Sequence, residues 1–122
     1  MAPTLFTADG LIGGRCASCH RRHFPAAEWC PWCGAESPAE VQLSTHGVLW
    51  SWTAVSSPPP GYVGPVPFGF GVVELPDDGL RIVTRLTEPD PTRLHAGQRM
   101  VFAIVALAPE LSTWAFAPLA AR

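Results

Sequence analysis

Cys16-Ala17-Ser18-Cys19 and Cys30-Pro31-Trp32-Cys33 hold every cysteine of this chain, in two Cys-x2-Cys pairs separated by ten residues. Each pair sets two sulfurs on one tight backbone knuckle. Two knuckles facing each other supply a tetrahedron of thiolates about 2.3 Å from a metal ion. Pro31 presets φ in the second knuckle, and Gly34 can take the positive φ that turns backbone N–H groups towards sulfur. Four sulfurs close the coordination sphere, whereas a catalytic metal keeps a position open for water or substrate. The spacing therefore predicts a structural site.

Two disulfides would need an oxidising compartment, of which the sequence gives no sign. The Cys-Pro-x-Cys-Gly knuckle also resembles rubredoxin, which holds iron in the same four-thiolate geometry, but the spacing between knuckles is far shorter here. Zinc, one ion per chain on Cys16, Cys19, Cys30 and Cys33, is the expected occupant. Residues 1–45 then read as a zinc ribbon with a short N-terminal lead. A segment this small and poor in apolar residues cannot hold itself together by burial alone. Metal binding, on the order of 10 kcal/mol or more for structural sites, supplies what is missing. With four thiolates available, His20 and His23 are expected at the surface or supporting the ligands from outside.

Charged residues make up only 15% of the chain and apolar ones 48%, so the sequence folds readily and leaves apolar area for a partner to cover. The net charge of −2 includes eight basic residues, all arginine. No run approaches the roughly 18 apolar residues that span a bilayer. Met1 to Gly10 lacks a basic, apolar leader pattern. A cytoplasmic protein, away from membranes, is expected.

After Gly47 the pattern changes to period two. Val48, Trp50, Trp52 and Ala54 are expected on one face of a strand, with Leu49, Ser51, Thr53 and Val55 on the other. The segment Ser56 to Pro67 is too rich in proline to pair in a sheet, and its Tyr62 and Val63 suggest that it docks on something. Further strands are read at Phe68–Leu75, Leu80–Leu86, Met100–Leu107 and Thr113–Ala117. Pro76-Asp77-Asp78-Gly79 makes a hairpin turn, and Glu88 to Ala96 a polar connector. Leu11–Arg15, leading into the first knuckle, and Val41–Ser44, returning after the second, are the candidate ribbon strands. The fold class is all-β: a small zinc ribbon, then a five-stranded OB-type barrel over residues 46–122. Closure of the barrel is expected, because an open sheet this apolar would expose sticky edges.

Pro67-Phe68-Gly69-Phe70-Gly71-Val72-Val73-Glu74-Leu75 and Asp78 to Leu86 form the first barrel phrases. Leu94 to Val101 and the closing Trp114-Ala115-Phe116-Ala117-Pro118 follow. Together with the two knuckles, they resemble the acyl-CoA-associated OB-fold family, also called domain of unknown function 35, with its rubredoxin-like zinc ribbon. The resemblance runs from about Cys16 to Pro118. It implies a non-catalytic subunit of an acyl-CoA-processing complex, one that scaffolds a thiolase-superfamily enzyme (thiolase or retro-aldolase, including the kind used on steroid side chains) or a MaoC-like hydratase. Acyl-CoA would lie at the interface. Two departures stand out: His20 follows the first knuckle where glycine is common, and the lead before Cys16 is shorter than the helix-bearing one usual in the family.

CoA phosphates favour arginine, and Arg81 and Arg85 share a strand face. Tyr62, Pro60 and Phe68 could carry the rest of the CoA path or a partner contact. The plain alternative is a solvated strand face. Ser112, His95 and Asp90 can be named as a triad, but nothing in their spacing aims them at one another, and His46 and His95 read as surface residues. The rival class is a nucleic-acid-binding ribbon and OB module, with His20-Arg21-Arg22-His23 on phosphates and Trp50 and Trp52 stacked on bases. An acidic net charge and scattered arginines oppose it.

Overall fold

The computed structural model describes residues 4–119. Among the described residues all regular structure is β apart from two short 3₁₀ turns. Among the described residues no helix is long and apolar enough to cross a membrane. Two compact units are present, one formed by residues 4–45 with 75–80 and the other by 46–74 with 81–119.

In the first unit, β1 (Phe6–Thr7), β2 (Gly10–Arg15), β3 (Arg22–His23) and β4 (Ala39–Gln42) form an antiparallel sheet in which β2 pairs with all three others. Alternation is weak here, because the strands are short and the interior is small. Leu11 and Leu43 are fully buried beside Cys16 and Cys30. Of the two expectations for His23, at the surface or behind the ligands, burial removes the first. The residue is 3% exposed, its Nδ1 lies 2.9 Å from the Pro25 carbonyl oxygen, and its ring lies where a side chain on Gly14 would have to go. Only a glycine at that point of β2 leaves room for the imidazole.

The turn at 75–80 supplies this unit with a carboxylate. Asp78 accepts from Arg22 Nη1 at 2.6 Å and from the Ser44 backbone N–H at 2.7 Å. Its side chain is almost wholly buried, while a third of the Arg22 side chain meets solvent. Gly79 closes the turn in the left-handed conformation, φ 66°, and donates its N–H to the Pro76 carbonyl.

The second unit is a closed barrel with strand order β5-β6-β7-β9-β8, where β5 is His46–Val55, β6 Phe68–Leu75, β7 Leu80–Leu86, β8 Arg99–Ala108 and β9 Leu111–Pro118. Antiparallel pairing of β5 with β8 and one parallel pairing of Leu86 with Phe116 complete the ring. Thr87 N–H donates to the Phe116 carbonyl beside that closure. Leu49, Val73, Ile82, Leu86, Met100, Ala115 and Phe116 are buried in this unit. Phe102 meets Phe116 edge-on at 6.2 Å, the favoured aromatic geometry.

The expected phase of β5 is corrected by the structure. A bulge between Leu49 and Ser51 adds one residue against β6, so that Leu49 pairs with Val73 but Trp52 with Gly71. One inserted residue reverses the face of everything after it. Trp50 is therefore exposed while Trp52, half-buried, donates its Nε1–H to the Pro91 carbonyl. The connector at 88–96 is more ordered than its composition suggests. Asp90 caps a 3₁₀ turn, Pro91–Arg93, by accepting from Thr92 N–H, and Leu94 is buried.

Breaking an ion pair with a buried member costs more than breaking an exposed one. Asp78→Ala should lower unfolding free energy by about 3 kcal/mol, since it strands Arg22 and the Ser44 N–H. Glu74→Gln, which removes the exposed partner of Arg81, should cost less than about 1 kcal/mol. Urea denaturation of the two variants checks the contrast.

Candidate functional site

The two knuckles bring their four sulfurs within 4.8 Å of one another. The Sγ atoms of Cys16 and Cys33 are 3.6 Å apart, and those of Cys19 and Cys30 3.7 Å. A tetrahedron with metal–sulfur bonds of about 2.3 Å has edges of about 3.8 Å, so the donor set fits a four-thiolate ion. Backbone geometry holds it. Ser18 and Cys19 N–H groups donate to Cys16 Sγ, and Trp32 N–H to Cys30 Sγ. Cys16 N–H donates to the Arg21 carbonyl and Cys30 N–H to that of Ala35, which closes each knuckle as a small loop.

His20, which stands where glycine is common, adopts φ 66°, close to the 81° of Gly34 at the matching place in the second knuckle. Histidine is among the non-glycine residues that tolerate this region better than most. The departure from the family pattern therefore changes the residue and keeps the turn.

The thiols respond to this packing. The Cys19 backbone N–H above all, with that of Ser18, pulls the Cys16 thiol down to about 6 against the effect of burial. Burial raises the Cys30 thiol, but the N–H groups of Cys33 and Trp32 and the neighbouring sulfurs outweigh it and leave it lowered. The Ala35 N–H lowers the Cys33 thiol, yet the Cys16 sulfur, burial and the other two sulfurs together push it up to about 11. Four thiolates this close cannot all ionise without a cation among them.

On the barrel, Tyr62, Phe68 and Arg85 come together. Tyr62 stacks on Phe68 at 4.9 Å, and the Arg85 guanidinium lies over the Phe68 ring at 4.6 Å. Tyr62 Oη accepts from Arg85 Nη1 at 2.8 Å and donates to the Pro65 carbonyl. The proline-rich loop thus folds onto its own barrel through Tyr62, leaving Val63 and Val66 exposed. Pro60 is exposed and outside this cluster. Arg81 forms a different one: it lies over Trp50 at 4.2 Å and donates from Nε to Glu74. Between the two clusters the outer surface of β6 and β7 shows Phe70 and Val83. Sequence reasoning placed Val83 on one face with Arg81 and Arg85, but did not single out Phe70 or the pairing of Trp50 with Arg81. The two-residue period from Phe68 would have found Phe70; the bulge hid the pairing of Trp50 with Arg81.

Arg85 has no carboxylate partner among the described residues, so its remaining N–H groups are open to an anion. The features named for nucleic acid do not assemble. Trp50 and Trp52 lie on different faces, His23 is interior, Arg22 is spent on Asp78, and Arg21 lies over Trp32. Nor do Ser112, His95 and Asp90 join through any side-chain hydrogen bond. Asp90 is turned to its own Thr92, whose hydroxyl and N–H lower its pKa.

Comparison with known proteins agrees with this geometry along most of the chain. Residues 9–39 match the family model described as the ChsH2 rubredoxin-like zinc ribbon domain, and residues 40–105 the one described as the ChsH2 C-terminal OB-fold domain. A DUF35 domain-containing scaffold protein of Pyrococcus furiosus is 33% identical over 90 residues, 74% of this chain and 65% of the relative. The benzoylsuccinyl-CoA thiolase subunit BbsA of Thauera aromatica is 34% identical over 89 residues, 70% of this chain and 57% of that one. The chain thus spans less than two thirds of the length of these curated relatives. Among solved structures, a chain of an Ltp2-ChsH2(DUF35) aldolase superposes with a TM-score of 0.71 at 30% identity, covering 90% of this chain and 85% of that one. A DUF35-family protein of unknown function from Sulfolobus solfataricus, at 16% identity and TM-score 0.58 over 88% and 74% of the two chains, shares the fold. A zinc-ribbon match, an OB-barrel match and the geometry of both units lead to one conclusion: this chain belongs to the ChsH2 (DUF35) family.

Proposed function

We propose that this chain is a non-catalytic subunit that scaffolds a thiolase-superfamily enzyme and completes the path of its acyl-CoA substrate. One observation carries the reading: the 30% identity to a chain of the Ltp2-ChsH2(DUF35) aldolase extends over nearly the whole length of both. The names of the relatives, a thiolase subunit and an aldolase, favour such a companion over a MaoC-like hydratase. Steroid side chains would be one substrate class within this reading. The cytoplasm, where thiolates stay reduced, is its expected place.

The division of labour follows from chemistry. Zinc is the ion that Cys16, Cys19, Cys30 and Cys33 would hold. With four thiolates on it the ion supplies folding energy to the ribbon rather than a site for substrate. On the barrel, Phe70 and Val83 offer apolar area to a companion. Arg85, oriented by Tyr62 and Phe68, presents its free N–H groups to a CoA phosphate or a partner carboxylate. Arg81, already paired with Glu74, is the weaker candidate.

The purified chain should carry one zinc and no iron by elemental analysis. Cys→Ser at any of the four positions should abolish stoichiometric metal and cost the ribbon most of its ordered amide signals. Iron in the site, or a metal-free chain with disulfides, would overturn the assignment.

Co-expressed with a thiolase-superfamily enzyme encoded beside it, the chain should co-purify and raise that enzyme's turnover of an acyl-CoA. Val83→Asp should weaken the complex at least about tenfold, because it buries an unpaired charge. Arg85→Met should leave the complex standing and weaken acyl-CoA binding by about tenfold, the worth of one charge-assisted contact. Turnover of a thioester by the chain alone would sink the proposal.

A further inference from the structure

The chain exposes three tryptophans to a similar degree, Trp29 at 56%, Trp32 at 53% and Trp50 at 51%. Two carry a cation of the chain's own: Arg21 lies over Trp32 at 4.9 Å and Arg81 over Trp50 at 4.2 Å. Trp29 has none. It forms one wall of a groove of about 820 Å³ in the ribbon unit, and the groove is otherwise lined by Glu28, Glu36, Glu40 and small residues such as Ala26 and Pro38.

The groove is built by the hairpin that carries the second knuckle. Trp29 and Glu36 pair across it in an antiparallel bridge, which sets their side chains next to each other. Ser37 N–H donates to the Glu28 carbonyl at 2.7 Å, and Cys30 N–H to Ala35, so the walls are fixed by the same bonds that hold the ligands. None of the three glutamates has an ion-pair partner among the described residues. No arginine or lysine occurs between Arg22 and Arg81.

We propose that this groove docks an arginine-bearing segment of a partner protein, with a guanidinium over the Trp29 ring and its N–H groups on the glutamates. Guanidinium is the group that satisfies both halves at once. It stacks on an aromatic face, which is the chemistry this chain already applies to Trp32 and Trp50, and its fork of donors matches carboxylates. The groove belongs to the ribbon unit and the Tyr62–Phe68–Arg85 cluster to the barrel unit, and the proposal does not depend on the identity of the companion enzyme.

The test is a ¹⁵N chemical-shift titration of the zinc-loaded full chain with the peptide acetyl-Gly-Arg-Gly-Arg-Gly-amide, and with a matched glutamate peptide as control. The arginine peptide should move the Trp29 indole N–H and the amides of Glu28 and Glu36, with Trp32 and Trp50 unmoved. Glu28→Gln with Glu36→Gln, or Trp29→Ala, should weaken binding at least tenfold while zinc content and the remaining spectrum stay as in the parent chain. Raising the salt should weaken it as well. Equal binding of the glutamate peptide, shifts centred elsewhere, or unchanged affinity in both variants would overturn the proposal. So would movement of the Trp29 signal with protein concentration alone, which would make a second copy of this chain the occupant.

Discussion

Mutual repulsion among sulfurs is the constraint on which the ribbon rests. Backbone N–H groups favour ionisation at Cys16, and the cost appears at Cys33, whose proton is held tightly because three other sulfurs surround it. A divalent ion removes that conflict. The strands around the site are two to six residues long and bury few side chains, so their order follows from the ligands more than from packing. Even the acidic groove with Trp29 inherits its shape from the hairpin between Cys30 and Ala35.

The barrel rests on different physics. Its buried residues are apolar apart from Thr84, and its outer surface carries Arg81 and Arg85. Both lie over aromatic rings, which covers ring area and restrains the guanidinium groups. An arginine held in this way loses little freedom when an anion arrives, which suits an interface better than a flexible surface charge would.

Much of this was legible in the residues. The two knuckles announced a four-sulfur site, and the bounds of β6 and β7 follow directly from period-two alternation ended by Pro76-Asp77-Asp78-Gly79. Where reading failed, the cause was local. A bulge at Leu49–Ser51 leaves no mark in composition, so Trp50 and Trp52 read as neighbours on one face. His23 read as either a surface group or a support behind the ligands; its burial depends on Gly14 on another strand, a non-local fact. Tyr62 was recognised as a docking residue, but its partners, Phe68 and Arg85, emerge only once the loop closes on the barrel.

The carboxylate that neutralises Arg22 arrives from residue 78, far along the chain from the other elements of its unit. That arrangement bears on inheritance. A ribbon cut out after residue 45 would leave behind the counter-ion its own arginine needs, and a barrel moved alone would carry an orphaned acid in its hairpin. Recombination between relatives is therefore constrained to exchange the two halves together, or to bring a substitute for Asp78 with the graft.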